Sequence, residues 1–208
     1  DKATVFEETY RHYLARIAGL DLTARADLLG AETEGADLVI PLYGTPYRLS
    51  RRGVFKPSGE PVNYAVCVVL CCYLLQCPDA TPPTGAWVTY REFKDAGPLV
   101  GYFTANTNKV IETAFAGNLP GLEAASRVLG GRPIEDGAGH DLCVVFDFLP
   151  RIPVRLNFND RDDEFPAQCS ILFRRATETY LDMECTAIGG TFLAGLLTRH
   201  LTAPQTVR

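Results

Sequence analysis

No charged residue lies between Glu60 and Asp79, and the stretch that fills this gap, PVNYAVCVVLCCYLLQCP, limits the possible folds more than any other feature of the chain. A run this apolar must be covered by protein on most sides or sit in lipid. Pro61 and Pro78 leave only residues 62–77 free for one helix, fewer than the roughly 20 residues that span a bilayer. The expectation is therefore a central helix buried by the rest of the chain, with no membrane involved. With 208 residues, 47% hydrophobic and 22% charged, the chain can build the core that covers it. Residues 1–208 are expected to form a single globular domain.

Periodicity supplies the elements around that helix. Phe6, Tyr10, Tyr13, Leu14 and Ile17 recur at steps of three and four, one apolar helix face. Leu38, Ile40 and Leu42 alternate, as do Tyr47 and Leu49 after a turn, which predicts a hairpin over 37–50. Helices are predicted over 107–115 and 119–129, the second stopped by Gly130 and Gly131. Leu142, Val144, Phe146 and Phe148 share one face of a strand, and Ile152, Val154, Leu156 and Phe158 share one face of the next. Arg155, Asn157 and Asn159 lie opposite, so the pair should be an antiparallel hairpin with a wet side. A strand at 170–173 and a helix over 183–199, capped by Asp182, complete the set. Gly189 and Gly190 should let that helix approach the sheet closely. The tail TAPQTVR is expected to fray. The fold class predicted is α+β: a mainly antiparallel sheet of hairpins with helices packed on one face.

Charge and cysteine content narrow the function classes. A net charge of −5 and a pI near 5.2 argue against nucleic acid and anionic lipid, both of which need a basic face. The seven cysteines include Cys67, Cys71 and Cys143 within apolar runs. They are expected to be free core thiols of a cytoplasmic protein. The N-terminal stretch lacks the apolar region of a signal peptide. Metal is not expected on the cysteines: no CxxC occurs, and Leu74 stands where a CxxxCxxC triad needs its third thiol.

Two kinds of site remain open. Trp87, Tyr90, Phe93, Tyr102 and Phe103 cluster with Arg91, Glu92 and Lys94, as in a pocket for a flat ligand. Asp160, Asp162, Asp163 and Glu164 crowd one loop, and His140 sits in GAGHD; together they could serve a hydrolase or lyase. The ligand-binding reading assigns Trp87, Arg91, Tyr102, Asp163, Glu164 and His140; no catalytic residue is assigned. Within the acidic loop, Phe165 is expected to turn inward as an anchor, with Pro166 holding it extended. Partners expected are a small-molecule or cofactor ligand and a second copy of the chain in a homodimer.

Three segments, GAWVTYREFKDAGPLVGYF, FDFLPRIPVRLNFNDRDDEFPAQCSILF and YLDMECTAIGGTFLAGLL, occur in an order and spacing that resembles the domain-of-unknown-function family numbered three-seven-eight-six. Asp163, Glu164, Phe165, Pro166 and Ala167 stand at its most specific signature. The resemblance implies that family members often carry His where this chain has Cys72, a departure that counts against a metal role at that position. The resemblance implies an uncharacterised accessory protein of anaerobic metabolism, with a tetrapyrrole or corrinoid as its flat cofactor.

Overall fold

The alternating segments pair as strands β7 (Leu142–Leu149) and β8 (Ile152–Asn159), with Leu142 opposite Phe158, Val144 opposite Leu156 and Phe146 opposite Val154. These six side chains are buried, which is what a period of two on a core-facing sheet produces. A computed structural model describes residues 2–58, 60–135 and 137–201; the tail expected to fray lies outside the described residues. β9 (Gln168–Arg174) adds to β8, β5 (Trp87–Thr89) to β9, and β6 (Arg132–Pro133) to β7. The order is β5-β9-β8-β7-β6, antiparallel throughout. The second face is drier than the alternation predicts. Asn157 is buried and accepts a hydrogen bond from Arg155 Nε at 2.6 Å, and Cys143 is buried opposite it.

The early hairpin is also present, as β2 (Asp37–Leu42) and β3 (Thr45–Ser50). Short edge strands β1 (Glu32–Glu34) and β4 (Gly53–Phe55) extend it to a four-stranded antiparallel sheet. Its tip, Tyr43-Gly44, has both residues at positive φ, 45° and 76°, the twist a two-residue hairpin favours. Tyr43 pays for that conformation in contacts: its N–H donates to Phe148 O, its ring stacks on Phe148, and its hydroxyl donates to Gly189 O. The tip thereby locks the first sheet onto the second.

The helices are α1 (Lys2–Ile17), α2 (Ala26–Leu29), α3 (Tyr64–Leu75), α4 (Val100–Phe103), α5 (Lys109–Phe115), α6 (Leu119–Val128), α7 (Thr177–Tyr180) and α8 (Met183–Arg199). α3 is the charge-free run, capped by Asn63 and buried at every position from Ala65 to Leu74. No helix among the described residues is long and apolar enough to cross a membrane. Asp182 caps α8, accepting from Cys185 N at 2.7 Å. The helix predicted over 107–115 begins earlier, because α4 runs into α5 through a π-helical turn at Thr104–Asn108. That turn stretches the inward spacing to a strict four, Phe103, Thr107, Ile111 and Phe115, all buried. The class is α+β, with antiparallel sheets and helices packed on one face, and one continuous core runs through both. All seven cysteines are free thiols, buried except for half-buried Cys77.

Candidate functional site

Where β5 ends, the chain makes a tight turn, Tyr90–Glu92. Glu92 fixes it by accepting from Thr89 N at 2.6 Å and Thr89 Oγ1 at 2.8 Å. Those bonds to Thr89 also lower the carboxyl pKa of Glu92. The turn sends Tyr90 inward and leaves Arg91 exposed. Tyr90 stacks flat on Phe103, with centroids 4.3 Å apart, and its hydroxyl donates to Met183 O at 2.7 Å. Burial, then the charges of Asp182 and Glu184, push this phenol up to about 12, so it remains a donor at neutral pH.

Above the Tyr90–Phe103 stack lies a cavity of 210 Å³. Arg91 stands at its rim, Thr104 and Asn108 come from the π-turn, and Ser170 comes from β9. Asn108 Oδ1 is buried and has no hydrogen-bond partner among the described residues; the same holds for the neighbouring Thr107 Oγ1. Buried polar atoms are normally paired, and π-turns concentrate at functional sites. The widened turn carries both Thr104 and Asn108, which line the cavity. Arg91 supplies a cation, Ser170 and Thr104 supply hydroxyls, and Asn108 lines the same cavity with its buried Oδ1 unpartnered.

The residues singled out in the sequence separate into three places. Arg91 lines this cavity. Trp87 sits three strand positions from Tyr90 on the sheet edge, its ring covered by the Arg174 guanidinium at 4.1 Å. Tyr102 points into a different, apolar cavity of 290 Å³ with Val5, Phe6 and Glu184. His140, Asp160, Asp163 and Glu164 lie at the other end of β9: Gln168 pairs with Asn159 there, whereas Arg174 pairs with Trp87. Six residue-to-residue steps along the strand separate those ends by about 20 Å. His140 and Asp160 do approach through Asp141, which accepts from Asp160 N at 2.8 Å and donates its own N–H to Asn159 Oδ1. Asp160 in turn accepts from Gly117 N and Arg161 N.

The acidic loop is fixed, but not by its aromatic residue. Phe165 is 60% exposed, against the expected inward anchor. Asp162 holds the turn, accepting from Glu164 N at 2.8 Å and Phe165 N at 2.7 Å, while Asp162 N donates to Phe165 O. A short carboxylate satisfies its own loop's amides more readily than a ring can reach the core past Pro166. Phe165→Ala should therefore stay within about 0.5 kcal/mol of the parent in urea melts, and Asp162→Ala should lose more. The amides of Phe165 and Glu164 lower the Asp162 pKa below its ordinary 3.8. Its stabilisation is thus present above that value and lost as pH falls through the folded pKa, so the gap between the parent and Asp162→Ala should close in acid.

Of the cavity residues, only Arg91 and the Tyr90–Phe103 pair stood out in the sequence. Thr104, Asn108 and Ser170 carry no motif and converge only through the π-turn and the β8–β9 pairing. Residues 21–195 match the family model described as Domain of unknown function (DUF3786). The chain belongs to that family. The match takes in the cavity, the acidic loop and most of α8 of this DUF3786 protein. No curated protein and no solved structure matches the chain.

Proposed function

We propose that this DUF3786 protein is a ligand-binding accessory protein, and that the cavity between Arg91 and the π-turn takes a small anion bearing an N–H or O–H donor. The observation that carries this is a cavity lined together by the cation Arg91 and by Asn108, whose buried Oδ1 has no hydrogen-bond partner among the described residues. An anionic group meets the guanidinium, and a donor elsewhere on the ligand meets Asn108, so hydroxy acids, amino acids and small phosphate esters fit. The ring stack beneath offers an apolar floor. At 210 Å³ the cavity lies below the roughly 300–1,000 Å³ of sites for drug-sized ligands, which favours a small metabolite over a whole tetrapyrrole or corrinoid. Of the two residues a flat cofactor would use, Tyr102 lines a different, apolar cavity and the Trp87 ring is covered by the Arg174 guanidinium. The carboxylates of Asp160 and Asp162 are engaged with backbone amides, which supports a structural role for the acidic loop over a hydrolytic one.

A thermal-shift and calorimetry panel of such anions tests this. At least one class should bind one to one. Arg91→Ala should weaken it by about 10- to 100-fold, the loss of a charge-assisted hydrogen bond. Asn108→Leu should weaken ligands that carry a donor and spare those without one. Binding that is unchanged in both variants would place the site elsewhere.

A further inference from the structure

Outside that cavity, three metal-ligating side chains meet where α3 passes the start of α8. Cys72 comes from α3; Asp182 and Cys185 come from the cap and first turn of α8, and their donor atoms all lie within 4.8 Å of one another. Cys72 Sγ and Asp182 Oδ2 are 3.5 Å apart across 110 residues of sequence. A tetrahedral zinc with bonds of about 2.3 Å to sulfur and about 2.0 Å to oxygen requires a sulfur–oxygen separation of about 3.5 Å. We propose that Cys72, Cys185 and Asp182 form a Zn²⁺ site with one exchangeable coordination position.

The surroundings match that assignment. Asp182 Oδ1 is held by Cys185 N at 2.7 Å, which turns Oδ2 toward the thiols. Gln76 Nε2 donates to Cys72 Sγ at 3.4 Å and fixes its position. Fixed partners of this kind orient metal ligands. Both cysteines are almost fully buried and Asp182 is partly exposed, so a cation enters from the carboxylate side. As zinc binds, the two thiol protons leave to solvent, and the charge left on two thiolates, one carboxylate and Zn²⁺ is a single negative one. That charge sits at the N-terminus of a long helix, where the helix dipole favours it. Cysteine spacing could not reveal the site, because its ligands come from two distant segments and one of them is a carboxylate.

The test uses reduced full-length protein, stripped with chelator and desalted, and titrated with zinc chloride in a calorimeter. One zinc per chain is expected. Cobalt(II) in its place should show a thiolate-to-cobalt charge-transfer band. Cys72→Ser and Cys185→Ser should each weaken that band and together abolish it, and Asp182→Asn should weaken zinc by about 10- to 100-fold. Cys67→Ser, Cys77→Ser and Cys169→Ser should leave binding intact. X-ray absorption of the zinc-loaded parent needs no variant to fold: two sulfur neighbours at about 2.3 Å are expected. A shell of nitrogen and oxygen alone, no stoichiometric binding, or a charge-transfer band that survives in Cys72→Ser/Cys185→Ser would overturn the site.

Discussion

Gly190→Ala is expected to destabilise the protein by about 3 kcal/mol, although Ala is the better helix former. A Cβ at position 190 would press into Phe103 Cε2, lie 2.9 Å from Phe103 Cζ and 3.0 Å from Thr107 Oγ1. Neither neighbour can retreat. Phe103 is sandwiched against Tyr90 and edge-on to Phe173, and Thr107 is fully buried in the π-turn. Overpacking a filled core forces off-rotamer side chains or a shifted backbone. Gly189 is equally tight on the other side, against Phe148. Gly195 is the internal control on the same helix: nothing lies within 4 Å of its Cβ position, and its φ is ordinary for a helix. Gly195→Ala should therefore stabilise by about 0.8 kcal/mol. Urea melts of the two variants should move in opposite directions. Equal shifts would mean that α8 slides freely on the π-turn. Because Phe103 floors the cavity, Gly190→Ala should also weaken any ligand bound there.

The same pair of glycines shows what the sequence could and could not convey. That α8 would pack closely was legible from Gly189 and Gly190, but only Gly189 meets the sheet; Gly190 meets the π-turn. Strands β7 and β8 were legible because strict alternation over eight residues admits one pairing face. α3 was legible because an uncharged run between two prolines has few other fates. Strands β1 and β4 were not, since three residues on a sheet edge carry no period. The start of α4 was hidden by the strict four-residue spacing from Phe103 to Phe115, with a polar Thr107 at one inward position. The cavity was hidden for a related reason. Asn108 looks like an ordinary exposed helix residue until the widened turn buries its carbonyl oxygen. Phe165 misled in the opposite sense, because hydrophobicity alone does not say whether a loop is long enough to fold a ring back.

Tyr73→Phe is expected to cost about 2 to 4 kcal/mol, a large loss for one oxygen atom. The Tyr73 ring is fully buried on α3, against Tyr180. Its hydroxyl donates to Leu29 O at 2.8 Å and accepts from Arg151 N at 3.1 Å. Leu29 ends α2, and the carbonyls of Asp27 and Leu28 beside it are taken by Arg151 Nη2 and Nε. Asp27 O also accepts from Gly30 N, so within that short helix it is the Leu28 and Leu29 carbonyls that depend on Arg151 and Tyr73. Removing the hydroxyl strands one buried carbonyl and one N–H, at about 1 to 3 kcal/mol each when no water replaces the bond. Burial pushes the Tyr73 phenol well above its ordinary pKa, so it is the neutral hydroxyl that makes both bonds. Tyr64→Phe, at a 40% exposed position on the same helix, should stay within about 0.5 kcal/mol. Because Tyr73 and Arg151 cap the same turn, a double-mutant cycle of Tyr73→Phe with Arg151→Ala should be non-additive by at least about 0.5 kcal/mol. A Tyr73→Phe melt that overlays the parent would show that water enters beside Leu29, and that the contact between α2 and the β7–β8 turn is held by Arg151 alone.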